Sequence, residues 1–175
     1  MATSCFIGIK NYGEYITGIR CSNFGQPSIT GDLLIKHYND LQKAALLIHL
    51  GDIMSLGERL YPEPLERHSY DHPCDGVTVA YHRDMGDRWS PLTVRTFLSE
   101  NDAYDSMDDI DWMYIFEPDV SNDNRFDKGT WYCAKVIRDF YDPYSDDVYL
   151  GDGYLSKPHP LETVLEEGED IFEDD

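Results

Sequence analysis

At 175 residues the chain is long enough for one domain with a substantial core and short for two. An apolar content of 41% with 13 tyrosines excludes a wholly disordered polymer, and no apolar run approaches the ~20 residues of a bilayer span. The net charge of −20 is concentrated: residues 1–60 hold five basic and five acidic side chains, residues 61–95 four and six, and residues 96–175 five and 23. Nucleic-acid backbones and anionic membranes recruit Lys and Arg, so this balance argues against both as direct partners. A basic protein surface is the natural complement.

In chain order, residues 4–10 and 14–21 are rich in Ile, Phe, Tyr and Thr and flank Asn11-Tyr12-Gly13, which reads as a β-hairpin. Thr30 is placed to cap a helix carrying Leu33, Leu34, Ile35 and Tyr38. Asn39 or Asp40 then caps a second helix with Leu41, Ala44, Ala45, Ile48 and Leu50, stopped by Gly51. Residues 58–75 are polar and proline-containing, a loop. Val77 to His82 alternates as a short strand, Leu92 to Leu98 fits either strand or helix, and Ser99 caps a short acidic helix. Trp112 to Phe116 and Thr130 to Val136 form a second hairpin of aromatic strands. Beyond Asp139 the sequence turns rich in Tyr, Asp, Gly and Pro and ends in a block of carboxylates, the pattern of a solvated, mobile tail.

The expected fold class is α+β: an antiparallel sheet built from two hairpins and a further strand, helices packed on one face, and an acidic C-terminal tail. Residues 1–139 form the domain in this reading and 140–175 a partly disordered acidic extension. No leader of charged and apolar character opens the chain, so a cytoplasmic setting is expected. Cys5, Cys21, Cys74 and Cys133 then read as free thiols.

Several stretches together carry a resemblance. They are Cys5-Phe6-Ile7-Gly8-Ile9-Lys10-Asn11, Leu33-Leu34-Ile35-Lys36-His37-Tyr38, and Leu47 to Gly57 (LIHLGDIMSLG). Val77-Thr78-Val79-Ala80-Tyr81-His82-Arg83-Asp84 and the aromatic strands near Trp112 and Trp131 complete them. In this order they resemble a family of small accessory proteins of tailed bacteriophages and prophages, over roughly residues 4–136. Where that family carries a His-Trp-Asp-Gly-Tyr-Pro-like run, this chain reads Cys21 to Pro27 (CSNFGQP). The resemblance implies a phage origin, the host cytoplasm and a small α+β domain. It implies no mechanism.

Three groups of residues invite chemistry. His68, His72, Cys74 and Asp75 cluster, but a zinc site needs a second ligand pair, for which only His82 and Asp84 are near in sequence. Asp119 to Asp127 alternates oxygen ligands like a calcium loop, yet Asn124 stands where glycine belongs and Thr130 where a bidentate Glu belongs. His82 and Asp84, one residue apart on a strand, would share a face as acid/base and orienter, without an identifiable nucleophile. No phosphate loop, nucleophile elbow or His-Glu-x-x-His motif occurs. No metal or cofactor is therefore expected, and the chain reads as a binding protein rather than an enzyme.

The expected binding surface is the acidic half, in which carboxylates imitate phosphates and aromatic side chains anchor the contact. Its residues are Asp105, Asp108, Asp109, Asp111, Trp112, Glu117, Asp119, Asp142, Asp146, Asp147 and Tyr149. The expected partner is a basic surface of a host protein that handles nucleic acid or serves anti-phage defence, inhibited by DNA mimicry. Self-association stays open. The alternatives are a metal- or small-ligand-binding enzyme using His68, His72 and His82, and a phage structural or assembly component.

Overall fold

The computed structural model describes residues 2–11, 14–85, 91–107, 109–119, 127–138 and 153–173. Strands β1 (Cys5–Lys10) and β2 (Ile16–Cys21) lead through a π-helical turn, Pro27–Gly31, to helices α1 (Asp32–His37) and α2 (Leu41–Ile48). Short elements follow: β3 (Ile53–Ser55), β4 (Val79–Ala80), α3 (Tyr81–Asp84), β5 (Arg95–Phe97) and α4 (Glu100–Asp105). The long strands β6 (Trp112–Pro118) and β7 (Gly129–Ile137) come next. After them lie β8 (Tyr154–Leu155), β9 (His159–Pro160), α5 (Leu161–Glu167) and a 3-10 turn, Glu169–Phe172. Among the described residues no helix is long and apolar enough to cross a membrane.

The protein is a mixed α/β fold whose sheet runs β4-β3-β2-β1-β6-β7-β8, with β5 on β2 and β9 on β7. Cys5 pairs with Cys21 across the antiparallel β1–β2 ladder, and Trp112 with Lys135 across β6–β7. The sheet is not wholly antiparallel, as the hairpin pattern had suggested. β1 lies parallel to β6, with Cys5 beside Trp112, and β2 touches β3 in parallel. The β1–β2 hairpin returns the chain to the end of the sheet where β6 begins, so Cys21 and Trp112 flank Cys5. The helices, short strands and loops between β2 and β6 form a long crossover past the end of β1.

The expectation that helices cover one face is also corrected. Alternate residues of the central strands are apolar on both parities, so each face needs cover. Cys5, Ile7, Tyr114, Phe116, Trp131 and Cys133 face Leu34 of α1, Ala44 and Leu47 of α2, and Leu161 and Val164 of α5. Phe6, Ile16, Met113, Ile115, Ala134 and Val136 face Ala103 of α4 with Met107 and Ile110 beyond it. The Phe6 ring lies over the glycines of β1 and β2. A Cβ added at Gly18 would overlap that ring and the Ile7 carbonyl.

Local signals behave unevenly. The Asp40 carboxylate accepts from the Lys43 amide at 2.7 Å and Ser99 Oγ from the Asp102 amide at 3.1 Å, capping α2 and α4. Gly51 takes φ +73° just after α2. Thr30, expected to cap a helix, instead donates its hydroxyl to the Phe24 carbonyl at 2.7 Å. Residues 81–84 are helical rather than a continuation of the preceding strand.

The C-terminal segment departs most from expectation. Leu161, Val164 and Phe172 are 0%, 2% and 2% exposed, so 153–173 belongs to the same core rather than to an extension beginning at 140. Phe172 sits edge-on to Trp112 at 5.6 Å and to His159 at 5.3 Å. Phe172→Ala should therefore destabilise the protein by about 3–5 kcal/mol in urea unfolding. A change within about 0.5 kcal/mol would be the mark of a solvated tail.

Candidate functional site

The carboxylates expected to face a partner have different fates. Asp109 is ion-paired with Arg20. Asp111 accepts from the Ser4 amide at 2.9 Å and from Arg138 Nη1 at 2.8 Å, while its own amide donates to the Ser4 carbonyl at 2.9 Å. It ties the starts of β1 and β6 to the end of β7. Trp112 is 4% exposed, in contact with Phe172 and under the Lys135 ammonium at 5.4 Å, so it belongs to the core and offers no surface anchor. Tyr114, two residues on along β6, is also sealed, and its hydroxyl donates to the Gly25 carbonyl at 2.7 Å. Asp105, Glu117 and Asp119 are exposed. Asp108, Asp142, Asp146, Asp147 and Tyr149 lie outside the described residues, as does most of the calcium-like segment, 120–126.

Sequence reasoning missed the acidic unit that the fold does hold firmly. Glu162, Glu166 and Glu167 on α5, Glu169 and Asp170 on the 3-10 turn, and Glu173 beyond it are all exposed. Glu169 meets Lys135 Nζ at 3.2 Å, the ion pair this unit makes among the described residues. Gly168, at φ +88°, ends the helix and donates to the Val164 carbonyl at 2.9 Å. Leu161, Val164 and Leu165 recur at i, i+3, i+4, a signal that could have revealed an amphipathic helix inside the charge block.

The other candidate, around His68, is a structural clip. Asp84 accepts from the Ala80 amide at 2.7 Å, from Arg83 Nε at 2.7 Å and Nη2 at 2.9 Å, and lies 3.1 Å from His68 Nε2. Arg83 also donates to the Leu60 and Thr78 carbonyls, each at 2.6 Å. His68 Nδ1 accepts the Cys74 amide at 3.0 Å, which leaves Nε2 to donate its proton to Asp84. The His68 and Asp84 side chains are 0% and 4% exposed. Both ring nitrogens are thus committed, and neither is placed to relay a proton to a ligand. The partner of Asp84 is His68 rather than His82, because 81–84 turns as a helix; His82 and His72 are exposed. Beside this clip Arg59 grips Glu66 at 2.6 and 2.8 Å and holds its carboxyl down at about 2.

The four thiols differ: the hydrogen bond with Cys5 holds the Cys21 thiol below its ordinary value, and Cys74 is half-buried. Cys5, Cys21 and Cys133 are buried, and burial pushes the Cys5 and Cys133 thiols well above their ordinary value. Among the described residues no group of three His, Cys, Asp or Glu side chains is disposed to hold a metal ion.

Burial pushes the Asp84 carboxyl up, but the Arg83, Ala80 and His68 hydrogen bonds outweigh it and hold it below its ordinary value. A carboxyl lowered on folding contributes stability above its unfolded value, near 4, and loses it as pH falls through the folded value. Asp84→Ala should cost about 3 kcal/mol at neutral pH, and the gap to the parent should shrink as pH drops below about 4. Urea unfolding at several pH values checks both parts. A gap that stays constant with pH would remove Asp84 as the titrating group.

No family model matches the chain, and no curated protein and no solved structure is similar to it at a significant level.

Proposed function

We propose that this chain is a phage-type accessory protein that works by binding, with an acidic surface that docks on a basic face of a host protein. The observation that carries the reading is the unit at 161–173. It presents six exposed carboxylates on a support pinned by Leu161, Val164 and Phe172, and its ion pair among the described residues is the one between Glu169 and Lys135.

Presentation on a rigid support separates this surface from a merely solvated charge run. Glu162 and Glu166 stand at i, i+4, where like charges destabilise a helix by about 0.2–0.5 kcal/mol. Glu166 and Glu167 also oppose the helix dipole at its C-terminal end. A basic partner relieves both repulsions. With a rise of about 1.5 Å per residue, the three α5 carboxylates stand on average about 3.8 Å apart along the axis, roughly half the ~1.7 Å-per-charge density of duplex DNA. Like charges held on a rigid helix, rather than a match to the DNA spacing, support a nucleic-acid-handling or defence protein as the target, as does the likeness to phage accessory proteins. Binding accounts for these features better than catalysis does, since His68, whose side chain is enclosed, has both nitrogens occupied.

The test is quantitative capture of host proteins by the full chain and by a Glu162→Gln/Glu166→Gln/Glu167→Gln variant, at about 50 and 300 mM salt. Captured proteins should be basic, and retention should fall at least about tenfold at high salt and in the variant. Thermal unfolding of the variant should be unchanged or slightly raised, because a helix repulsion has been removed. Retention insensitive to both changes would defeat the electrostatic reading.

A further inference from the structure

On the second face of the sheet, the side chains of β6 and β7 are not fully covered by α4. A cavity of about 460 Å³ opens there. Met113, Ile115 and Ala134 form its floor, and Leu155 and the Lys10–Glu100 pair stand on opposite walls. Its volume falls within the ~300–1,000 Å³ range of small-molecule sites, and an apolar floor with a few polar groups at the mouth is their usual construction.

Charge selects among ligands. Lys10 Nζ lies 3.9 Å from Glu100 Oε1, so that pair is close to neutral. Lys157 lines the mouth but has an interaction of its own. Glu117, also at the mouth, is exposed and has no ion-pair partner among the described residues. The half of the chain that supplies most of the lining carries 23 of the 34 acidic side chains, so the surrounding field gathers cations and repels anions. Tyr132 lines the same space and offers an aromatic ring to a cation.

We propose that this cavity binds a small organic amine, its apolar stem on Met113, Ile115 and Ala134 and its ammonium at the Glu117 carboxylate. Anionic ligands such as acyl carboxylates and nucleotides are disfavoured by the same field. The site is independent of the docking unit, because α5 packs on the opposite face of the sheet. Glu117→Gln leaves that unit untouched, so the two readings can fail separately.

The experiment titrates the full chain with 4-phenylbutylamine, 4-phenylbutanol and 4-phenylbutyrate, which share one apolar body, using calorimetry and amide chemical shifts. The amine should bind about tenfold tighter than the alcohol and the carboxylate weakest, with shifts centred on β6, β7 and Leu155. Glu117→Gln should reduce the amine to the affinity of the alcohol and leave the alcohol unchanged. The proposal is overturned if none of the three binds, if the carboxylate matches the amine, or if the amine keeps its advantage in Glu117→Gln.

Discussion

β1 and β6 run side by side and parallel at the centre of the sheet, and both present apolar side chains to both faces. This double-sided burial dictates the rest of the architecture. A strand of this kind cannot leave one face in water, so α1, α2 and α5 must close one side and α4 with its following turn the other. The long connection between β2 and β6 also carries the loop held by Asp84, Arg83 and His68. Tyr38 joins the layers: its hydroxyl donates to the Gly57 carbonyl at 2.6 Å, and its carbonyl accepts from Trp131 Nε1 at 3.0 Å. Burial pushes that phenol up to about 12.

The same constraint shapes the electrostatics. Arginines from three elements or their flanks neutralise carboxylates of distant segments: Arg20 meets Asp109, Arg138 meets Asp111, and Arg95 meets Asp52 at 2.6 Å. These pairs staple the crossover to the sheet. They also remove acidic groups from the pool available to a partner. Six of the exposed carboxylates are grouped on α5, the turn after it and Glu173, where the apolar positions are spent on the core; others, Asp105, Glu117 and Asp119 among them, stand singly elsewhere. Ion-paired and solvent-facing carboxylates are thus found in the same half of the chain. The division follows which arginines the fold brings within reach.

Some of this was legible from the residues. Asp40, Ser99 and Gly51 act where cap chemistry placed them, because capping depends on a few neighbouring residues. The apolar strands around Phe6, Trp112 and Trp131 were equally visible. Their unbroken apolar runs carried the information that both faces are covered, although helices on one face only were expected. The helical 81–84 segment escaped because Tyr81-His82-Arg83-Asp84 has no strong preference of its own. Its turn is set by the Asp84 carboxylate reaching back to the Ala80 amide and across to His68.

The sequence alone determined the excess of carboxylates after residue 96, the aromatic strands and the local caps, since composition, alternation and short-range hydrogen bonding are properties of neighbours along the chain. Tertiary structure decided which carboxylates are free. Asp109 lies 89 residues from Arg20 and Asp111 lies 27 from Arg138, separations at which no local rule operates. It likewise decided that the acidic terminus is anchored, because Leu161, Val164 and Phe172 find a core only where Trp112 and Trp131 have already built one. Charge was written in the residues. Its placement was written in the contacts.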